Sequence, residues 1–281
     1  MSLWTQMLGG EVGFVMAGGL RTRYVRLGQG TPLLLLHGRG GHLETFARNI
    51  GPLSVHFTVY AVDLAGHGLT APFDGDYTID RLAAHVADAM DALGLGRAHV
   101  VGQSLGGWAA AWLALTRPEM LERLVLIEPA GLQAEADRLA DPKIAQAYKA
   151  GGEAFEKPTL EAVRKRLSGL LADPDSVDPE ILATRLALYQ PDAARAVHLK
   201  VRQADNGPFL LTPERLSGLS MPTLFIRGEG GNTAAGIVAQ AVAACPDARL
   251  VTVAGARQWP QYEQADRTNE LIGGFLKNGR E

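Results

Sequence analysis

A chain of 281 residues, 47% hydrophobic with 33 glycines and 15 prolines, is long enough to bury one sizeable core and excludes a fibrous or disordered protein. Its formal net charge of -3 provides no basic face, so nucleic acid is not an expected partner. The one cysteine, Cys245, leaves no internal disulfide and reads as a small buried apolar residue in a reducing compartment. Residues 1–20 lack a basic start followed by a sustained apolar stretch, and the most apolar run, 33–36, is far too short to cross a bilayer. The expectation is a cytoplasmic protein without membrane contact.

In chain order, two β-like stretches, 12–16 and 21–27, flank Gly18-Gly19 and predict a hairpin. Residues 33–36 predict a buried strand, followed by a glycine-bearing loop and a helix over 43–50. A strand over 57–62 precedes 79–93, where Ile79, Leu82, Val86, Met90 and Leu93 recur at helical spacing and stop at Gly94. The strand 98–101 runs into Gly102-Gln103-Ser104-Leu105-Gly106, a helix over 105–115 closes at Arg117-Pro118, and 124–127 is a further strand. The alternation then lapses. Residues 131–217 are charged, helical in pattern and broken at Pro142, Pro158, Pro174, Pro179 and Pro191. It resumes with a strand over 223–227, a helix over 234–244, a strand over 249–253 and a helix over 262–276.

The fold class is therefore α/β: a mostly parallel eight-stranded sheet flanked by helices. Residues 1–130 and 216–281 form the core, and 131–215 form a helical cap inserted after the sixth strand. Ligands of open α/β sheets lie at the carboxyl ends of the strands, so the cap would roof the pocket.

The run from Gly102 to Gly106 has a strand before it and a helix after it, the context of a nucleophile elbow. The glycines let the turn tighten enough to push Ser104 into a strained, exposed position. The N-terminus of the following helix offers backbone N–H groups to a developing oxyanion. A second donor is expected from His37-Gly38-Arg39-Gly40-Gly41, where small residues let the backbone approach substrate. The pair expected is the N–H of Arg39 and the N–H of Leu105. His37 reads as a residue that orders this loop rather than as a base, since one histidine seldom signals catalysis by itself.

Leu36-His37-Gly38, Asp63-Leu64-Ala65-Gly66-His67-Gly68, Gly102-Gln103-Ser104-Leu105-Gly106-Gly107 and Trp259-Pro260-Gln261-Tyr262-Glu263 occur in the order and spacing of the α/β-hydrolase superfamily, which the whole chain resembles. Within it the chain looks most like the meta-cleavage product hydrolases, which split carbon–carbon bonds in ring-fission dienoic acids. The resemblance implies no cofactor and no metal. It places Asn49 at the pocket wall, Arg185 on the substrate carboxylate, and Trp259 beside the catalytic histidine position. Gly38, Gly40, His42 and Gln103 join them as substrate-binding candidates. A guanidinium suits a carboxylate because it donates two parallel hydrogen bonds to a planar anion, although Arg185 also reads as a solvated helix residue and Trp259 as packing.

The resemblance breaks where protons are handled. The loop after strand 223–227 reads Gly228-Glu229-Gly230-Gly231-Asn232, with Gly231 in the aspartate's place. The loop after strand 249–253 reads Ala256-Arg257-Gln258-Trp259-Pro260, with Gln258 in the histidine's place, and no histidine lies beyond His198 to restore it. Glutamine has no proton that titrates near neutral pH and cannot act as a general base, though its amide can hydrogen-bond Ser104 or a ligand. Glu128, after the sixth strand, is the acid that could meet Ser104 or a ligand directly, or serve structurally.

Three readings follow. The first is non-hydrolytic chemistry (a lyase, decarboxylase, tautomerase or cyclase) on a small acidic or phenolic carbonyl compound, with an enolate held in the oxyanion hole. The second is a ligand-binding or accessory protein. The third is a hydrolase with an unusual base: Glu128, His37 or His42. Each takes a small molecule as its partner, and each is compatible with a homodimer.

Overall fold

The computed structural model describes residues 2–278. Its strands are β1 (Glu11–Ala17), β2 (Leu20–Leu27), β3 (Thr31–Leu36), β4 (Phe57–Val62), β5 (Ala98–Gln103), β6 (Leu121–Ile127), β7 (Thr223–Gly228) and β8 (Ala248–Val253). They form one eight-stranded sheet in the order β1-β2-β4-β3-β5-β6-β7-β8. β2 pairs antiparallel with β1 and with β4, and every other pairing is parallel. The expected hairpin closes at Gly18 and Gly19, both at positive φ.

β3 shows why the run of leucines is a strand and not a helix. Its side chains alternate between the two faces, so Leu34 and Leu36 join one core cluster while Leu33 and Leu35 join the other. Helices cover both faces, which is why the central strands are apolar throughout. α1 (Ala47–Ser54) lies on one face. α2 (Ile79–Ala92) and α3 (Leu105–Thr116) lie on the other, where Ile79, Leu82, Val86 and Met90 are fully buried as their spacing requires. Cys245 is buried and free, and among the described residues no helix is long and apolar enough to cross a membrane.

Between β6 and β7 run α4 (Glu135–Leu139), α5 (Pro142–Glu156), α6 (Leu160–Ser168), α7 (Pro179–Tyr189), α8 (Asp192–Gln203) and α9 (Pro213–Leu216). Several of the prolines start helices here. Pro142, Pro179 and Pro213 occupy first-turn positions behind Asp141, Asp178 and Thr212, whose side chains accept N–H bonds of that turn. After β7 come α10 (Ala235–Ala244), α11 (Pro260–Glu263) and α12 (Ala265–Asn278).

A buried ion network fixes the loops at the carboxyl ends of β3 and β4. Arg23 on β2 donates to Asp63 through Nε at 2.6 Å and to both Glu44 oxygens at 3.0 and 2.8 Å. Asp63 also accepts the N–H of Leu43 and of Leu69 at 2.8 and 2.9 Å. Arg23→Met strands two buried carboxylates without their cation, and is expected to cost about 3–5 kcal/mol in urea unfolding near neutral pH. A loss below about 1 kcal/mol would show the network to be incidental.

Candidate active site

Ser104 stands between the end of β5 and the start of α3 with φ 51° and ψ -113°, a region that residues with a side chain seldom enter. The turn can close because its neighbours lack side chains: a Cβ on Gly102 would lie 2.5 Å from Gly106 O, and one on Gly106 would overlap Leu36 O. Backbone bonds hold the strained conformation, Ser104 N–H to Ile127 O at 3.0 Å and Ser104 O to the N–H of Trp108 and Ala130 at 2.9 and 3.1 Å. The side chain borders a cavity of about 110 Å³ beneath α4–α6. Among the described residues Ser104 Oγ has no hydrogen-bond partner.

Arg39 and Leu105 border the same cavity. The N–H of Leu105, first in its helix, has no carbonyl four residues back in that helix to bond, so it is free for a ligand oxygen. The Arg39 loop is clamped from outside. Gly40 O accepts from Tyr189 Oη at 2.7 Å, and Arg39 O accepts from Arg166 Nη2 at 2.9 Å. The Arg39 guanidinium turns away to a two-pronged pairing with Glu135 at 2.9 and 3.3 Å. His37 is fully buried and both of its nitrogens are used: Nδ1–H donates to Gly38 O at 2.8 Å, and Nε2 accepts the N–H of Leu64 at 3.0 Å. It orders the loop and does not reach the cavity wall.

Glu128 closes β6 with φ 43°, its N–H bonded to Ile226 O at 2.9 Å. This turn carries its carboxylate towards the loop after β7, where Oε1 accepts the N–H of Gly228 at 2.8 Å. The carboxylate fills the space above Gly231, since a Cβ there would overlap Oε1. An acid from the end of β6 thus takes the room that a side chain at position 231 would need. Burial pushes the Glu128 carboxyl up to about 7, against smaller opposing contributions from the Gly228 N–H, Arg227 and the N–H groups of Asn232 and Thr233. The expected direct meeting of Glu128 with a ligand is not what the geometry shows, because Glu128 stands behind the cavity wall.

Gln258 does line the cavity with Ser104. Its N–H donates to Leu170 O and its O accepts from Gln103 Nε2, both at 3.1 Å, so the residue is tied to the segment after α6 and to the end of β5. Its Nε2 lies 3.5 Å from Glu128 O. Glu128 Oε2 and Gln258 Oε1 are both buried without a hydrogen-bond partner.

Arg185 on α7 is fully buried and lines the cavity. Its Nε donates to His42 Nε2 at 3.1 Å, and His42 Nδ1–H donates to Glu44 Oε2 at 2.7 Å. His42 is therefore the neutral Nδ1–H tautomer, with its pKa lowered by burial and by Arg185. Nη1 and Nη2 of Arg185 make only long contacts, to Tyr189 Oη at 3.5 Å and Thr45 Oγ1 at 3.4 Å, so the forked end is free for an anion. The Trp259 ring lies 5.1 Å from its Cζ.

Of the other candidates, Gly38, Gln103 and Trp259 are at the cavity wall, whereas Gly40 and His42 border a smaller neighbouring cavity. Asn49, expected at the wall, lies elsewhere: its Nδ2 donates to Gln261 O and Asn269 Oδ1 at 2.9 and 2.7 Å, because α1 packs on α12 there. Sequence reasoning missed Thr45, Arg138, Tyr148 and Arg166, which also line the cavity. The last three stand on α4, α5 and α6, and their side chains, polar or aromatic on helices of the insert, do not by themselves say that they face the cavity.

A sequence profile of the alpha/beta hydrolase fold matches residues 31–265. The chain is 31% identical over 222 residues to 2-hydroxy-6-oxo-6-(2'-aminophenyl)hexa-2,4-dienoic acid hydrolase of Metapseudomonas resinovorans, covering 77% of this chain and 73% of that one. It is 30% identical over 262 residues to 2-hydroxy-6-oxo-6-phenylhexa-2,4-dienoate hydrolase of Burkholderia cepacia, 90% of each. The solved meta-cleavage product hydrolase of Pseudomonas fluorescens IP01 superposes with a TM-score of 0.83 at 25% identity, over 96% of this chain and 99% of that one. The resemblance read from the four motifs is borne out.

The raised pKa of Glu128 has a consequence for stability. The folded chain holds this proton more tightly than an ordinary carboxyl near 4.5, so the group's contribution is complete below about pH 4.5 and lost as pH rises through about 7. That contribution is about 3 kcal/mol, and Glu128→Gln is expected to remove it. On going from about pH 4.5 to about pH 7 the variant then gains about 3 kcal/mol of urea-unfolding stability relative to the wild type, over the opposite-signed contribution of the buried histidines that both share. An unchanged pH dependence in the variant would contradict the buried neutral acid.

Proposed function

The chain belongs to the α/β-hydrolase fold family, and from that membership and the geometry of its cavity we propose that it acts non-hydrolytically on a small anionic carbonyl compound, as a lyase, decarboxylase, tautomerase or cyclase. One observation carries this reading: Ser104 Oγ faces the cavity with no hydrogen-bond partner among the described residues, and the neighbouring wall position holds Gln258. A serine nucleophile needs a base to take its proton, and an amide does not titrate in the relevant range. His37 and His42 do not supply the base, since both nitrogens of each are already engaged.

In this reading the triad's proton-handling half has been lost and its oxyanion half kept. The N–H groups of Arg39 and Leu105 hold the enolate oxygen as charge develops on it, which lowers the barrier to forming a carbanion beside a carbonyl. Arg185 holds a substrate carboxylate through Nη1 and Nη2, with Nε anchored on His42. Residues 131–215 act as a cap over the core formed by 1–130 and 216–281, and close the cavity against water. Glu128, whose partnerless Oε2 and pKa of about 7 suit a group that both accepts and returns a proton, takes up the substrate proton once the wall at Gln258 moves aside to admit a water.

The same two properties of Glu128 favour a second reading, a hydrolase in which Glu128 activates Ser104 or water from behind Gln258. A serine-directed fluorophosphonate probe with intact-mass readout separates the two. The wild-type protein is expected to stay unlabelled at Ser104. Gln258→His is expected to gain labelling and at least about 100-fold in p-nitrophenyl acetate hydrolysis, because Glu128 already stands behind position 258. Adding Glu128→Ala to Gln258→His removes that gain. Rapid labelling of the wild type would overturn the non-hydrolytic reading.

A further inference from the structure

The loop that carries the Arg39 N–H is a four-residue turn. Gly41 N–H bonds Gly38 O at 2.9 Å, Gly40 has φ 64°, and Arg39 is not among the non-glycine residues at positive φ. Positive φ at the third position alone marks the type II form. Types I and II differ by turning over the central peptide, which here is the one whose carbonyl is Arg39 O. Glycine at position 40 accepts either sign of φ, so it does not choose between the two.

The choice falls to two side chains of the inserted segment. Arg166 on α6 donates from Nη2 to Arg39 O at 2.9 Å and from Nε to Tyr189 Oη at 3.1 Å. Tyr189, at the end of α7, donates its own proton to Gly40 O at 2.7 Å. One edge of one guanidinium thus holds both carbonyls, the first directly and the second through the phenol. Two glycines leave room for this clamp. A Cβ on Gly40 would lie 3.1 Å from Arg166 Nη2 and 3.0 Å from Tyr189 Oη, and one on Gly151 of α5 would overlap Arg166 Nη1. Among the described residues Arg166 forms no ion pair, and both of these acceptors are neutral. A guanidinium N–H on a carbonyl is a charge-assisted bond, stronger than one between neutral groups.

The Arg39 N–H belongs to the first peptide of this turn. In a turn free to exchange between two forms it would face a range of directions, whereas an oxyanion donor works only when it is aimed beforehand. We propose that Arg166 and Tyr189 are positioning residues, which hold the turn 38–41 in its type II form and thereby aim the Arg39 N–H at the substrate oxygen. The inserted segment is then part of the oxyanion site and not only its roof. The proposal rests on the reading of the Arg39 N–H as an oxyanion donor, and the experiment keeps the two apart.

The variants Arg166→Met, Arg166→Lys and Tyr189→Phe keep most of each side chain's volume and change its donors. Deuterium exchange beside the carbonyl of 2-oxoadipate is followed with the whole chain in heavy water, giving kcat and KM separately. Arg166→Met is expected to lower kcat at least about tenfold with KM within about twofold of the wild type. Arg166→Lys is expected to recover part of that loss, and Tyr189→Phe to lower kcat by a smaller factor. An unchanged kcat in Arg166→Met, or a loss confined to KM, overturns the positioning role. The second readout is the crystal structure of ligand-free Arg166→Met, with the turn expected in the type I form or in both forms. A turn still wholly type II there also overturns the proposal. If the wild type exchanges nothing, the enolate reading fails, and that structure alone decides whether Arg166 holds the turn.

Discussion

The carboxylate of Glu128 and the α-carbon of Gly231 compete for the same space, and the chemistry open to the site follows from which one has it. With glycine at 231, an acid rooted at the end of β6 reaches across to the β7 loop and binds the Gly228 N–H. An aspartate at 231 could not be added to this arrangement without displacing it. Enclosure then raises the pKa of Glu128 to about 7, and its Oε2, like Gln258 Oε1, is buried without a hydrogen-bond partner.

The side proposed to bind an anion is organised from the opposite direction. A chain of buried groups runs from Asp63 through Arg23, Glu44 and His42 to Arg185, alternating in sign around a neutral imidazole. It connects the loops after β3 and β4 to α7, so the orientation of the cavity arginine is set by the core. Fixing Nε in this way leaves Nη1 and Nη2 with only long contacts, and in the proposed role would limit the entropy lost on binding a carboxylate.

The sheet was legible in the sequence because its strands are short apolar runs bounded by turn residues, and α2 because five apolar residues recur at helical spacing. Where β6 begins was not: its apolar run suggests residue 124, but pairing with β5 extends it back to Leu121. Ser104, Gln258 and Trp259 could be found because each lies in a motif with a fixed place after a strand, and Arg185, on α7, only because the family resemblance marks it. The placement of Asn49 failed since it depends on α1 packing against α12, a contact that no local pattern encodes. Arg138, Arg166 and Tyr189 were invisible for a related reason. They lie on helices oriented by tertiary packing, and a charged residue on such a helix reads as solvated until the fold shows which way it faces.

The central claim is that the cavity stabilises an enolate without acylating Ser104. Its most direct measurement is hydrogen–deuterium exchange at the carbon beside the carbonyl of 2-oxoadipate, followed by proton NMR in heavy water. The account predicts exchange above the buffer rate with wild-type protein, retained in Ser104→Ala and lost in Arg185→Gln. No exchange with the wild type, or turnover that disappears with Ser104→Ala, would contradict it.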